Sequence, residues 1–389
     1  NFVWSVVEDH INSNILFVGT EFGMYYSING GANWNKFKDV PTIAIRDLEI
    51  HEGEDDLVAA SFGRGFYIVD DYSPIREVSK DFLLKDAHLF SVKDALQFVI
   101  ASPEKFATGH NFFTSPNPPY GVKLSYYLKE RLISKEDRRQ KEEKSKFNKS
   151  ESINYPSKDQ LDEEIKEEKP KIFLTIESLN GDIVRRVEGN NSPGYNETYW
   201  NLRTYSYRNI EDENNYSGPL VPPGTYNVYL SKYENSTFTE LTEKQSFEVI
   251  QHGSKSTQEE RFDLYNFQLK FDKLFSDFEK LVDDIDDAIE DVNGEINTVI
   301  NSKSATNVNY MHMKKSKLMD LRMILTGKLS LNYADVFSGS PPSIQRRLGG
   351  MSWELSNTTS RQTKSHEKTY NISKKKYDEV VKMFKEIIG

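Results

Sequence analysis

The first 76 residues consist of short apolar and aromatic segments separated by turn residues. Within the segments, apolar and polar positions alternate, as expected for strands with one buried face. The separating turns are rich in Gly, Asn and Ser, which tolerate positive φ. The pattern predicts strands over residues 3–8, 15–20, 23–27, 33–37, 43–50, 55–61 and 66–70.

This strand pattern repeats within the same segment. Residues 43–50 take the place of 3–8, and residues 57–63 take the place of 16–23. A period of about 42 residues is the length of one four-stranded propeller blade. Because each blade buries its faces against two neighbours, a propeller closes only with about four or more blades. We therefore expect residues 1–76 to be the incomplete end of a β-propeller whose earlier blades lie upstream or in another chain.

Residues 86–250 have the pattern of a β-sandwich interrupted by one charged insertion. The insertion, residues 129–170, mixes Lys, Arg, Asp and Glu with few apolar residues. Such a composition cannot bury a core, so we expect a disordered or solvated helical segment there. The sandwich strands are predicted over residues 122–128, 172–178, 183–187, 197–202, 224–231 and 244–250.

From residue 256 to residue 389 the apolar period becomes helical. Thr257 and Glu260 have capping-box spacing and predict the start of a long amphipathic helix. Three more helices are predicted, over 313–331, after Ser340 with Pro341 and Pro342 in the first turn, and from about Ser373. The predicted fold class is thus multidomain, mainly β plus α, with terminal propeller blades, a β-sandwich and a C-terminal helical bundle.

Composition excludes several classes of function. The 389 residues carry a net charge of −10, which disfavours nucleic acid and anionic membrane surfaces as partners. The chain has no Cys, so disulfides and thiolate metal sites are excluded. No apolar run reaches the roughly 18 to 20 residues of a membrane span. The seven His residues lack zinc-motif spacing, and no cofactor, metal site or catalytic constellation is predicted.

The start of the chain has no initiator Met. It also lacks the charged segment followed by an apolar segment that is typical of a signal peptide. We expect the true amino terminus, and any signal peptide, to lie upstream.

One octapeptide, Ser27 to Trp34, fits the pattern Ser-x-Asp-x-Gly-x-x-Trp with Asn29 at the Asp position. A short polar side chain at that position accepts hydrogen bonds from turn amides, and Gly31 supplies a positive φ. Trp34 is expected to pack between adjoining strands. Asn29 can accept the same bonds without the charge-assisted strength of Asp. We interpret these four residues as a structural turn, called an Asp box.

The Asp box and its neighbouring strands resemble the last blades of Asp-box propellers, also named BNR-repeat propellers. The resemblance is to bacterial proteins related to the ten-bladed propeller of sortilin, the Vps10 type, which are often labelled glycosyl hydrolases. It covers most of the chain apart from the insertion. Other segments resemble the Ig-like sandwich and the terminal helical segment that follow this propeller, namely residues 117–121, 200–203, 218–226 and 341–348.

The resemblance implies an extracytoplasmic protein, secreted, periplasmic or on the cell surface, that binds a carbohydrate or protein ligand through the propeller face. The Asp box would lie between the third and fourth strands of a blade, opposite the turns between the second and third strands. Glu21 and Arg64 belong to these turns and are candidate binding residues, with an interblade ion pair or hairpin support as the alternative. The alternative function is a sialidase- or xyloglucanase-like glycoside hydrolase with its carboxylates on upstream blades.

Asp70 and Asp71 are adjacent carboxylates at the end of a predicted strand. Adjacent strand residues point to opposite faces, so the two cannot easily converge on one atom as an acid/base pair. We expect a role in a turn or domain junction.

Overall fold

The computed structural model describes residues 2–79, 81–99, 119–208, 218–302, 308–327, 342–356 and 358–389. It shows a multidomain chain with several small antiparallel sheets followed by helices. The described strands do not close into a propeller. They form two N-terminal sheets, two further sheets and a C-terminal group of helices.

The N-terminal sheets contain all seven strands predicted for the first 76 residues, with bounds shifted by two residues or fewer. Sheet 1 is antiparallel and follows chain order, with β1 (Val3–Glu8), β2 (Leu16–Thr20), β3 (Gly23–Ser27) and β4 (Asn35–Lys36). Sheet 2 has one strand fewer, with β5 (Ile45–His51), β6 (Asp56–Ser61) and β7 (Phe66–Val69).

Sheet 2 repeats sheet 1 in its hydrogen-bond register. The first strand of sheet 1 has a bulge between Val3 and Ser5, and the first strand of sheet 2 has one between Ile45 and Asp47. A bulge adds one residue to one strand and is a specific feature of register. The sequence repeat of about 42 residues is therefore also a structural repeat.

The two sheets pack through faces that are not equivalent. Sheet 1 contributes the face that carries Phe17 and Met24, which we call the front face, and both side chains are fully buried. Sheet 2 contributes the face that carries Leu57 and Ala59, which we call the back face. When the registers of the two sheets are aligned, Phe17 corresponds to Val58. Leu57 and Ala59 flank Val58 and therefore point to the opposite face of the strand. The front face of sheet 1 thus packs against the back face of sheet 2.

The other two faces of this pair are apolar and lack a cover among the described residues. The front face of sheet 2 leaves Phe66 75% and Ile68 57% exposed, and the back face of sheet 1 leaves Val6 57% exposed. An interface between unlike faces is heterologous and leaves the same two faces free at its ends. More sheets of this kind can therefore be added on both sides.

Two further sheets share one core between residues 87 and 251. The six-stranded sheet curls into a half barrel. Its strand β9 (Ala95–Gln97) runs parallel to β16 (Gln245–Gln251), while the other strand pairs are antiparallel. Trp200, Tyr226 and Phe247 form an aromatic group in this core. The three-stranded sheet has the order β13-β10-β8, with β13 (Gly194–Trp200), β10 (Val122–Leu128) and β8 (Ala87–Leu89). The six-stranded sheet contains β12 (Ile183–Gly189), β11 (Lys171–Ser178), β14 (Gly224–Glu234), β15 (Thr237–Glu240), β16 (Gln245–Gln251) and β9 (Ala95–Gln97).

Most predicted strands in this region are confirmed, and the differences have local causes. The strand predicted over 197–202 instead ends at Trp200, because Leu202 has a φ of 59° that a strand cannot accommodate. The charged insertion is helical, with α1 (Lys135–Asn148) and α2 (Lys158–Lys166). Arg139 joins the two helices through a bidentate pair with Glu164, at 2.7 and 2.8 Å. The three short strands β8, β9 and β15 were not predicted.

The C-terminal helices enclose a second large core. Thr257 caps the long helix through the predicted capping box with Glu260. The last helix begins at Lys364, so the predicted start near Ser373 is wrong. Its cap pairs Thr363 with His366, which does not match the usual Glu or Gln. The helices are α3 (Gln258–Asn301), α4 (Asn309–Thr326), α5 (Ile344–Ser356) and α6 (Lys364–Ile388). Pro342 precedes α5 instead of lying in its first turn as predicted, while Pro341 and residues 328–331 lie outside the described part of the chain.

Polar contacts fix the helices against the six-stranded sheet and its loops. Asp272 of α3 accepts hydrogen bonds from the Ser206 hydroxyl at 2.9 Å and from the Tyr207 amide at 2.5 Å. Burial raises the pKa of Asp272, and these hydrogen bonds offset part of the rise. Arg208 forms a bidentate pair with Glu279 one turn or more further along α3. The sheets and the helices therefore meet through a specific polar interface.

The contact between sheets 1 and 2 requires a glycine. A Cβ on Gly19 would lie 2.8 Å from the carbonyl oxygen of Ile45 and 2.9 Å from its Cγ2 atom. Overpacking of this kind costs about 1–3 kcal/mol. We expect Gly19→Ala to lower by that amount the free energy of opening that hydrogen exchange measures for the amides of β2 and β5.

Gly53→Ala is the matched control, because a Cβ there meets only the His51 ring, at 3.7 Å. Its effect should stay within about 0.5 kcal/mol. Equal effects of the two substitutions would mean that the sheets do not approach each other at Gly19.

Candidate functional site

The turns between β2 and β3 and between β6 and β7 lie at one end of the paired sheets, which we call the turn face. The Glu21 amide donates to the Phe2 carbonyl at 3.1 Å, and the Phe62 amide donates to the Ala44 carbonyl at 2.9 Å. The two bonds occupy equivalent positions of the structural repeat. The turn face is thus built twice by the same backbone arrangement.

An exposed aromatic and cationic stack crosses the turn face between the two sheets. The Arg46 guanidinium lies 3.7 Å from the ring centre of Trp4 and 4.9 Å from that of Phe62. Trp4 is 44% exposed and Phe62 is 70% exposed. A cation–π contact at an exposed site contributes about 0.5–1 kcal/mol, so the stack holds these rings in a defined position. Such a surface suits a ligand with a flat apolar side.

Glu21 and Arg64, the binding residues predicted from the sequence, both lie in turns of this face. Within the described residues neither side chain forms a hydrogen bond or an ion pair. The structure therefore places them at the turn face without joining them to each other. The larger features of the face are Trp4, Arg46 and Phe62, which the sequence prediction missed. Trp4 and Arg46 lie 42 residues apart, each at the bulge of its sheet. This equivalence within the repeat is the sequence signal that could have pointed to the pair.

The Asp box lies at the opposite end of sheet 1. The Ser27 hydroxyl donates to Asn29 Oδ1 at 3.0 Å, and the same Oδ1 accepts from the Asn33 amide at 2.9 Å. Ser27 Oγ also accepts from the Gly31 amide at 2.9 Å, and Gly31 has a φ of 88°. Trp34 lies beside Gly31 and stays 41% exposed. These contacts are confined to the turn, so the geometry is that of a structural element.

A cluster of charged groups joins the two sheets to the next domain, and we call it the junction cluster. Arg76 binds Asp9 through two bonds of 2.9 and 2.6 Å and binds Asp55 at 2.6 Å. The Tyr72 hydroxyl donates to Asp9 at 2.6 Å. Lys93, in the loop before β9, lies 3.0 Å from Asp55. Asp9 follows β1 in sheet 1 and Asp55 precedes β6 in sheet 2, so one cluster spans both sheets.

Asp71 belongs to the junction cluster as well, since its carboxylate lies 2.9 Å from the Lys93 amine. Its φ of 49° turns the chain after β7, and its amide donates to Asp56 at 2.8 Å. Asp70 presents its backbone carbonyl to Lys123 at 3.4 Å. The two carboxylates do not act as one pair, in line with the expected junction role.

The charges of the junction cluster suit binding within the protein and not acid/base catalysis. Burial alone would raise the pKa of Asp9, but hydrogen bonds from Arg76, Tyr72 and the Asn12 amide lower it to about 2. Burial and the bond to Asp9 raise the pKa of Tyr72 well above its ordinary value. General acids and bases work best with a pKa near the working pH. The pKa of Asp9 lies far below neutral pH, and the pKa of Tyr72 lies far above it.

A groove of about 1090 Å³ lies between the six-stranded sheet and α3. It has aromatic walls that include Tyr205, Tyr207, Phe262 and Tyr265. The Tyr205 hydroxyl accepts from the Arg186 amide at 2.9 Å and so covers the free edge of β12. The groove assembles from segments far apart in the chain, and no sequence pattern marks it.

The described residues contain no group of three or more His, Asp or Glu side chains placed to hold a metal ion. Among the same residues, no helix combines the length and the hydropathy that crossing a membrane requires. Comparison of the chain with family models, curated proteins and solved structures finds no match. The resemblance to Asp-box propellers therefore stays a prediction.

The junction cluster gives the N-terminal sheets an acid-sensitive contact. Because the pKa of folded Asp9 is about 2, below the roughly 3.9 of an unfolded Asp, the stabilisation is present above pH 4 and is lost as pH falls from about 4 to 2. Removing one partner of a buried ion pair lowers the free energy of unfolding by about 3–5 kcal/mol. We expect Asp9→Asn to lower the opening free energy of β1 and β2 by that amount at pH 7, measured by hydrogen exchange.

The Asp9→Asn protein should also lose most of the decrease in stability between pH 4 and pH 2. Asp39→Asn is the control, because Asp39 is exposed and has no hydrogen-bond or ion-pair partner among the described residues, and it should behave as the unchanged protein. An Asp9→Asn protein that keeps the full acid sensitivity would assign that sensitivity to other carboxylates.

Proposed function

We propose that this chain is part of an extracytoplasmic binding and scaffold protein, in which sheets 1 and 2 are consecutive blades of a larger β-propeller. The observation that carries the proposal is the packing of unlike faces between two sheets that repeat each other. The uncovered faces, with Val6 on one side and Phe66 and Ile68 on the other, are the surfaces that neighbouring blades would bury. Upstream blades of the same protein are the proposed partners of these faces.

In this proposal the turn face is the recognition surface. It lies at the end opposite the Asp box and presents Trp4, Arg46 and Phe62 with two free charges, Glu21 and Arg64. Exposed aromatic and Arg side chains are the residue types that dominate binding energy at interfaces. A carbohydrate ring or an aromatic protein side chain fits such a stack, and a nucleic acid does not fit the net charge of −10.

The remaining domains act in this proposal as packing and attachment modules. Residues 86–250 form an Ig-like sandwich in the proposal, and its core of two sheets supports this assignment. The junction cluster then fixes the end of the propeller to the sandwich through Lys93. The polar contacts of Asp272 and Arg208 fix the helices to the sandwich in turn.

The turn face can be tested by substitution at its rings. We expect Trp4→Ala and Phe62→Ala to weaken binding of the glycan or protein ligand found in a glycan-array and pull-down screen by about tenfold or more, because each removes a central aromatic contact. The screen uses the protein together with its preceding residues. Trp34→Ala is the matched control, since Trp34 is 41% exposed at the opposite end.

Trp34→Ala should leave the affinity unchanged. Equal losses with all three variants would place the recognition surface elsewhere. Hydrolysis of a glycan that binds would instead favour a glycoside hydrolase, whose carboxylates would have to lie on the upstream blades.

A further inference from the structure

A buried arginine without a counter-charge lies where α3 meets the curled sheet. Arg261, in the first turns of α3, is 2% exposed. Its Nη2 donates to Gln97 Oε1 at 2.5 Å, and Gln97 Nε2 donates to the Val221 carbonyl at 2.8 Å. Its Nε has no hydrogen-bond partner. No carboxylate of the described residues lies within ion-pair distance of Arg261, so its charge is opposed only by a neutral amide.

Two more groups without an acidic partner lie in segments next to Gln97, the partner of Arg261. The Tyr120 ring lies 5.0 Å from that of Phe98, and Arg203 pairs with Leu220, next to the Val221 carbonyl that Gln97 binds. The Tyr120 hydroxyl is buried and makes no hydrogen bond among the described residues, although the Phe98 amide lies nearby. Burial raises the pKa of Tyr120, and the charges of both Arg203 and Arg261 offset part of the rise. Arg203 binds only backbone carbonyls, of Gly218 at 2.9 Å and of Ser356 at 3.1 Å. Both guanidiniums therefore act on one phenol.

The energetic cost of this arrangement points to a missing acceptor. Burial lowers the pKa of Arg203 and of Arg261, which reflects the penalty on a cation removed from water. Buried charges in proteins are nearly always paired, and a buried donor without an acceptor is a sign of an unseen water or ion. Here two cations lack an acidic partner, and two donors, Arg261 Nε and the Tyr120 hydroxyl, make no hydrogen bond among the described residues.

We propose that Arg261, Tyr120 and Arg203 form a binding site for a small oxyanion, a carboxylate or a phosphate group. A guanidinium fork matches the two oxygens of either group. Arg203 is half-buried, so part of this group of residues contacts solvent. The anion would contact α3 through Arg261 and the loop after β13 through Arg203, so its binding would strengthen the junction of the sheet and the helices.

The test is titration calorimetry of the full chain with sodium phosphate and, separately, sodium acetate, against sodium chloride at equal ionic strength. We expect one anion per chain to bind in the phosphate or the acetate arm, and the arm that binds more tightly identifies the chemistry. Arg261→Gln should weaken this binding by about tenfold or more, since a charge-assisted hydrogen bond is lost. Arg322→Gln, which removes an Arg of α4 that is paired with Asp286 of α3, should leave this binding unchanged.

Tyr120→Phe keeps the test decisive if Arg261→Gln fails to fold, because it removes one oxygen and no charge. We expect weaker anion binding with unchanged thermal stability in the absence of the anion. The proposal is overturned if neither anion binds more than chloride does, as expected if a buried water satisfies Arg261. It is also overturned if Tyr120→Phe binds the anion as tightly as the unchanged chain does.

Discussion

The contact between the front face of sheet 1 and the back face of sheet 2 is the interaction on which the rest of the N-terminal structure depends. Phe17 and Met24 are completely buried in the same core cluster as Leu57 and Ala59, and the Tyr72 ring packs 4.9 Å from that of Phe17. Gly19 allows the close approach that this burial needs. Since the two faces are unlike, the same contact leaves an apolar face open at each end.

The junction cluster holds this pair in place from one end. Arg76 reaches the carboxylates of both sheets, and Lys93 extends the same network to the neighbouring domain. The charged groups at this end bind each other, so they offer few free donors or acceptors to a ligand. The turn face at the other end has the opposite character, with Glu21 and Arg64 free and the rings around Arg46 exposed. Structural and recognition roles are thus separated along the strands.

Local features of this fold follow from the sequence, and contacts over long distances do not. The seven N-terminal strands and the capping box at Thr257 come from alternation and spacing, which act over a few residues. The start of the last helix at Lys364 cannot be predicted from capping-box spacing, because His366 stands where the box usually has Glu or Gln. The Arg46 stack and the unpaired Arg261 depend on tertiary neighbours, and no local pattern encodes those. The octapeptide at Asn29 predicts the turn geometry, yet it says nothing about which ligand the opposite face binds.

The most direct test of the central claim measures whether the uncovered sheet faces are buried in the longer protein. The chain has no Cys, so Val6→Cys and Ile68→Cys each give one thiol whose maleimide labelling rate reports exposure. We expect fast labelling in the 389-residue chain and much slower labelling when the preceding polypeptide is present, with Ile300→Cys on α3 equally fast in both. Equal rates for Val6→Cys and Ile68→Cys in the two proteins would contradict a propeller built on these faces.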